Sequence, residues 1–352
     1  MQGSIRQIVL FDVADEIRLD VLSKALGVAQ AERGASSSRL APADYVRFDR
    51  PPVIERLQAG GLNASARYFD YGVVSIEIDQ PFSLDWPALV ERAACALSDP
   101  QVEQRAIDLV RPRLDAARVA LLNPYDKWLS EDYAVVTLFP ENPAETADQL
   151  LATHGDEIAQ IVRGEHRPLS GPERQEILSA SLSYYPNDLL VAGWSAAFVY
   201  DHPSAAELTL QLLEYANTQL LEFRHYDELL TAVLKDVYRS IERGTGVWRR
   251  WGLAARAERL NNIRLDIIEI TERTETSIKF LSDMFYARMY QIMAARVGVP
   301  DYRRLVDDKL RTAGELYEFM VDRFNQGRGF FLELIVVIIL LIEIVFLFRG
   351  KS

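Results

Sequence analysis

A chain of 352 residues, 49% of them hydrophobic, is too apolar to remain disordered and long enough to hold a sizeable core in two units. Its 51 acidic and 39 basic residues leave a net charge of −12, which excludes broad phosphate neutralisation and disfavours flat adsorption on anionic lipid. No direct double-stranded DNA binding is therefore expected, and the single cysteine, Cys95, excludes an internal disulfide and fits a reducing compartment.

The opening MQGSIRQIVLFDVADEIRL places Asp12, Asp15 and Glu16 where a secretory signal needs apolar and then small residues, so the body is expected to stay in the cytoplasm. Residues 5–13 read as a strand and 19–26 as a short helix stopped by Gly27. Residues 31–43, with Gly34, three serines and Pro42, read as a loose loop, and 44–48 as a strand. The stretch 66–78, ARYFDYGVVSIEI, reads as one strand with Gly72 as a bulge or close-packing point. Asp85 or Ser83 caps a helix through 87–97, and a second helical pattern covers 101–122. A strand at 133–139, a helix at 144–162 and a hairpin of strands 177–185 and 189–200 complete the first part. This order predicts an α+β head over 1–203 with a ferredoxin-like, split βαβ antiparallel sheet, plus an added helix and hairpin.

From Ser204 the pattern changes to long helices. Leu208, Leu212, Tyr215, Leu220, Phe223, Tyr226, Leu230, Val233 and Val237 recur at steps of three and four, as do Leu260, Ile263, Ile267, Ile270, Ile278, Leu281, Phe285 and Ile292. They predict an antiparallel, coiled-coil-like stalk over 204–329, with turns at 244–252 and 298–300. Residues 330–348, FFLELIVVIILLIEIVFLF, would make a helix of about 28 Å, long enough to cross a bilayer. The expectation is a tail-anchored, single-pass protein of the cytoplasmic membrane with its body in the cytoplasm.

Two membrane-related sites follow. Glu333 lies near one edge of the apolar run, while Glu343 lies inside the other, where a carboxylate turns toward a partner or water unless it sits neutral at the edge with no role. The turn Trp248-Arg249-Arg250-Trp251 either touches lipid headgroups or a neighbouring subunit, or is an ordinary solvated turn.

The patches YFDYGVVSIEI, NDLLVAGWSAAFVYD, RLNNIRLDIIEI and FLELIVVIILLIEIVF, in that order, resemble the "required for meiotic nuclear division" family, a domain of unknown function. The resemblance implies a membrane-attached, self-associating protein whose tail acids map to Glu333 and Glu343, and Leu334 stands where that family has an aromatic. In eukaryotic relatives it implies support of mitochondrial translation; this chain looks like a bacterial member.

Catalytic patterns are sparse. His154, His166, His202 and His225 show no HExxH spacing and read as solvated, and Cys95 reads as a buried small residue. The acidic spots Asp227-Glu228, Asp307-Asp308 and Glu272 to Glu275 read as solvated helix faces. No cofactor and no metal are implied. The sequence favours a non-enzymatic scaffold or tether that homo-oligomerises and binds a protein or ribonucleoprotein through its head, with membrane lipid at its anchor. The alternatives are a small-ligand sensor signalling through the helices and, last, a membrane-bound enzyme.

Overall fold

The structure, a computed structural model, describes residues 1–28, 50–142, 145–242, 258–269, 284–319, 336–337 and 339–340. In chain order these form β1 (Gln2–Ile17), α1 (Leu19–Leu26), β2 (Val53–Ala59), β3 (Leu62–Tyr68), β4 (Val73–Ser83), α2 (Trp86–Leu97), α3 (Val102–Ala116) and β5 (Leu121–Leu138). They continue with α4 (Ala147–Arg163), α5 (Gly171–Leu178), β6 (Ser181–Leu182), β7 (Leu189–Ala192), β8 (Ala196–Tyr200) and α6 (Pro203–Glu242). Helices α7 (258–269), α8 (Met284–Val297) and α9 (299–319) follow.

The strands make one sheet in the order β2-β3-β4-β1-β5-β8-β7-β6, antiparallel except for the parallel pair β5 and β8. The split βαβ expectation is therefore corrected to an eight-stranded mixed sheet. Strand β1 is its spine, paired with β4 from Gln2↔Ser83 to Asp12↔Val73 and with β5 from Gly3↔Leu138 to Ile17↔Leu121. Successive side chains alternate between faces, so the register sorts the chemistry. Ile5, Val9, Phe11 and Val13 share a face with Ile76, Ile78, Val136 and Leu138, and that face is apolar, covered by α1 and α3 in one half and by α2 and α4 in the other. The opposite face carries Ser4, Arg6, Asp12, Ser75, Glu77 and Asp79 of β1 and β4, and meets α6. With helices on both faces, β1 reads as a nearly unbroken buried run instead of a two-sided alternation.

Three local differences have physical reasons. The expected single strand 66–78 is two, because residues 69–72 turn and Gly72 takes φ +93°, where an added Cβ would sit 1.8 Å from the Ala14 carbonyl oxygen. The helix expected over 101–122 stops at Ala116, and β5 starts at Leu121, earlier than the expected 133, through the polar stretch NPYDKWLSED. The strand expected over 177–185 is the end of α5 and the two-residue β6, and that over 189–200 folds at Gly193 into β7 and β8. The start of α2 was legible, since Asp85 accepts the Ala88 amide ahead of Pro87, whereas α4 begins at Ala147 and not at the expected 144, on a capping box of Thr146 with Gln149. The expected loop at 31–43 and strand at 44–48 lie outside the described residues.

The chain divides into two compact units, 1–225 with 273–303, and 226–272 with 304–352. Within the first, α6 is buried almost all round from Leu208 to Phe223, and the Tyr290 hydroxyl of α8 donates to Gln219. Heptad positions that a two-helix seam would leave in water are covered, so the coiled-coil expectation is corrected for the described residues. Within the second, Leu230, Val237, Leu260, Ile267, Val306 and Ala313 are buried, and Lys309 Nζ donates to Asp227 Oδ1 at 2.5 Å and to Thr231 Oγ1 at 2.6 Å.

The anchor expectation is corrected as well. Among the described residues no helix is long and apolar enough to cross a membrane. The longest of them, α6, carries Glu207, Glu214, Glu222, Arg224 and Asp227 along its length, which hydrocarbon would not accept. Of 330–348, only Val336, Val337, Ile339 and Leu340 are described, helical and about half exposed, and the rest lies outside the described residues. The membrane localisation built on that anchor is withdrawn with it.

Candidate functional site

The unusual feature of the first unit is how α6 meets the sheet. Glu207, Glu214, Thr218, Glu222 and His225 follow one another at steps of seven, four, four and three, which puts them on one helical face. That face is turned to the polar side of the sheet. That side of the sheet also carries the buried Ile8 and Leu10 of β1, so helix and sheet meet through charges set beside apolar side chains.

The inner part is an arginine network. Arg67 donates from Nη1 to Glu77 Oε2 at 2.9 Å and to Glu214 Oε2 at 2.8 Å, and from Nη2 to Glu207 Oε1 at 3.2 Å. Arg6 donates to Glu207 Oε2 at 2.7 Å, and its Nε lies 3.7 Å from Glu77 and 3.8 Å from Asp79. Ser4 also donates to Asp79. Burial raises the Glu77 carboxyl above its ordinary range against the pull of Arg67 and Arg6. Thr218 accepts from the Tyr71 hydroxyl at 3.0 Å in the β3–β4 turn, extending the network along α6.

The outer part is built on a break in the sheet. Asp12 pairs with Leu129 and Ala14 with Pro124, so Tyr125 to Trp128 bulge out of the β1–β5 ladder. Pro124 has no amide hydrogen to give that ladder, and Asn123 beside it takes a left-handed φ of 47°. The bulge aims Tyr125 at β1: its hydroxyl donates to Asp15 Oδ1 at 2.6 Å, and Asn123 donates to Asp15 Oδ2 at 2.7 Å. The Tyr125 ring stacks on His225 of α6, with centroids 5.0 Å apart and planes 17° from parallel, and His225 Nδ1 donates to Asp12 Oδ2 at 2.6 Å. Beside them, Glu222 is 8% exposed, and its Oε1 makes no hydrogen bond. Its carboxyl is pushed well above the ordinary range by burial and then by the charges of Asp12 and Asp15. Asp12 is raised too, by burial, with His225 opposing, and burial with Asp12 and Asp15 keeps the Tyr125 hydroxyl protonated.

Several sequence expectations change here. His225, read as solvated, pairs with Asp12, and His154 stacks on Trp86 at 4.3 Å. Cys95, read as buried, is exposed. Glu333, Glu343, Trp248, Arg249, Arg250 and Trp251 lie outside the described residues. Among the described residues no three His, Cys, Asp or Glu side chains are placed to hold a metal ion. The legible signal for the seam was the polar spacing in LLEYANTQLLEFRHY; its partners, such as Arg67 for Glu214, are remote in sequence.

The family model described as "Uncharacterized protein MJ0711, N-terminal domain" matches residues 2–206, the sheet unit up to the first turn of α6. The uncharacterized protein MJ0711 of Methanocaldococcus jannaschii is 20% identical over 220 residues, which cover 62% of this chain. The chain spans 66% of the length of that relative. No solved structure matches. These findings overturn the resemblance to the "required for meiotic nuclear division" family, and the mitochondrial role goes with it.

Proposed function

We propose, for a chain that belongs over residues 2–206 to the family of the uncharacterized protein MJ0711 N-terminal domain, a non-enzymatic, ligand-responsive binding module. In it the state of the charged seam governs how firmly α6 is held on the sheet. The observation that supports this is the seam itself: α6 is docked by buried ion pairs and a buried carboxyl whose Oε1 has no partner. Replacing buried ion pairs with packed apolar residues is often neutral or stabilising, by about 1–4 kcal/mol, so such a seam is poor value as glue and well suited to a position that must respond. Helix α6 is also one continuous helix from Pro203 to Glu242, so what holds its first half bears on a long element.

An enzymatic reading fits less well. A cleft of about 480 Å³ in the first unit, lined by Pro87, Glu91, His166 and Arg174 among others, lies with α2 and α4 on the far face of the sheet from His225 and Asp12.

Amide hydrogen exchange tests the proposal. Substitutions in the seam, such as Glu207→Gln or Asp12→Asn, are expected to change protection of α6 amides 207–225 selectively while β1 and β5 keep theirs. If α6 and β1 open together in every variant, the seam is ordinary core and the reading fails.

A second reading, a scaffold that self-associates through its head, is favoured by Tyr184 and Tyr185. Both are exposed, on a turn whose two amides donate to the Asp188 carboxylate at 2.7 and 2.9 Å. It predicts concentration-dependent sedimentation that Tyr184→Ser with Tyr185→Ser removes; unchanged sedimentation in that variant contradicts it.

A further inference from the structure

We propose that Glu222 is a proton-binding site: a carboxyl sealed between α6, β1 and the β5 bulge that holds its proton at neutral pH and loosens α6 when it loses it. The inference rests on the responsive reading above and names its ligand as the smallest cation.

Geometry carries it first. Three carboxyls, Asp12, Asp15 and Glu222, share the outer seam, and two of them are provided for. Asp15 accepts from Tyr125 and Asn123, and Asp12 accepts from His225. Glu222, itself buried, keeps an oxygen without a donor, and the charges acting on it from β1 are both negative. An ionised carboxylate in that position would be desolvated, unpaired and repelled at once. A proton removes the charge at the least cost in volume. A metal ion would need several ligands at one point, and among the described residues no such group exists.

Each remaining group around the carboxyl has a partner of its own. From the β3–β4 turn, buried Tyr71 is held protonated, by burial first, and its hydroxyl is engaged with Thr218. Asp70 in that turn lies 3.5 Å from Arg50. From the β5 bulge, Tyr125 stays protonated and donates to Asp15. On α6 itself His225 is turned to Asp12. Ionising Glu222 would add a third negative carboxylate to the outer seam opposite Asp12 and Asp15 of β1, and the helix carrying Glu222 is the element able to move away.

The test is isotope-edited infrared spectroscopy of the full chain with labelled glutamate, following the protonated-carboxyl stretch from about pH 5 to 9. Expected is a protonated band at neutral pH that is missing in Glu222→Gln, together with a melting temperature that falls as pH rises in the wild type and is flatter in the variant. If the variant fails to fold, Glu222→Asp and the wild-type titration decide. A wild-type chain whose glutamates are all ionised at neutral pH overturns the proton site. A protonated Glu222 with α6 amides that ignore pH would keep the site and refute the responsive reading beneath it.

Discussion

Asp12 and Glu222 lie in the same pocket, and one has an imidazole while the other has an oxygen facing no donor. That difference sets opposite expectations for neutralising them. Asp12→Asn strands His225 and removes a negative neighbour of Glu222. It is expected to cost about 1–3 kcal/mol in urea unfolding and to lower the pH at which Glu222 gives up its proton. Glu222→Gln leaves an uncharged group of the same shape and should be tolerated far better at alkaline pH. Gly72 is the other residue on which the pocket depends, because it lets the β3–β4 turn close against Ala14 beside the bulge. Gly72→Ala adds a Cβ into a backbone oxygen at a positive φ, and a loss of at least about 2 kcal/mol is expected by the same measurement. Of these roles only that of Gly72 was legible, as a bulge or close-packing point, and the close approach to Ala14 is the second of those; His225 read as one solvated histidine among four.

At the scale of elements, α6 is the helix whose periodicity was plainest and whose environment was most misread. Its apolar steps from Leu208 to Val237 marked it as a helix, yet they also suggested a two-helix seam, because a list of apolar positions does not reveal that its polar stripe pairs with Arg6, Arg67 and Asp12. Strand β5 hid for a related reason, since its first half bulges and is polar where it leaves the ladder. A capped start such as Asp85 was readable because its partner lies three residues away, while Arg67 and Glu214 lie 147 apart. The arginine network gives a cycle to measure. Arg67→Met leaves Glu77 and Glu214 short of their cation and is expected to cost about 3–5 kcal/mol. Adding Glu214→Met should recover part of that loss, and strictly additive losses would mean the two are not coupled.

For the whole molecule, the raised carboxyls share one sign. Glu77, Glu131 and Asp132 are raised chiefly by burial, and Asp201 is pushed up to about 6, as Asp12 and Glu222 are raised in the seam. A carboxyl raised on folding binds more protons folded than unfolded, between its unfolded and folded values. Stability is then full below the unfolded value and falls as pH climbs toward the folded one. The chain should therefore melt at a higher temperature near about pH 5.5 than near about pH 8.5, and calorimetry showing the reverse order would reject that balance. The sheet unit, which the family match covers as far as residue 206, supplies Asp12, Asp15 and Tyr125, while Glu222 and His225 lie beyond that match. The family model therefore describes one side of the seam.

Amide exchange of α6 as a function of pH, compared between wild type and Glu222→Gln, tests the account most directly. It predicts that wild-type residues 218–225 lose protection as pH rises past neutrality, beyond the intrinsic base dependence of exchange and ahead of β1, and that the variant does not. Equal protection in the two proteins across that range, or loss in step with β1, would contradict a helix held by a buried proton.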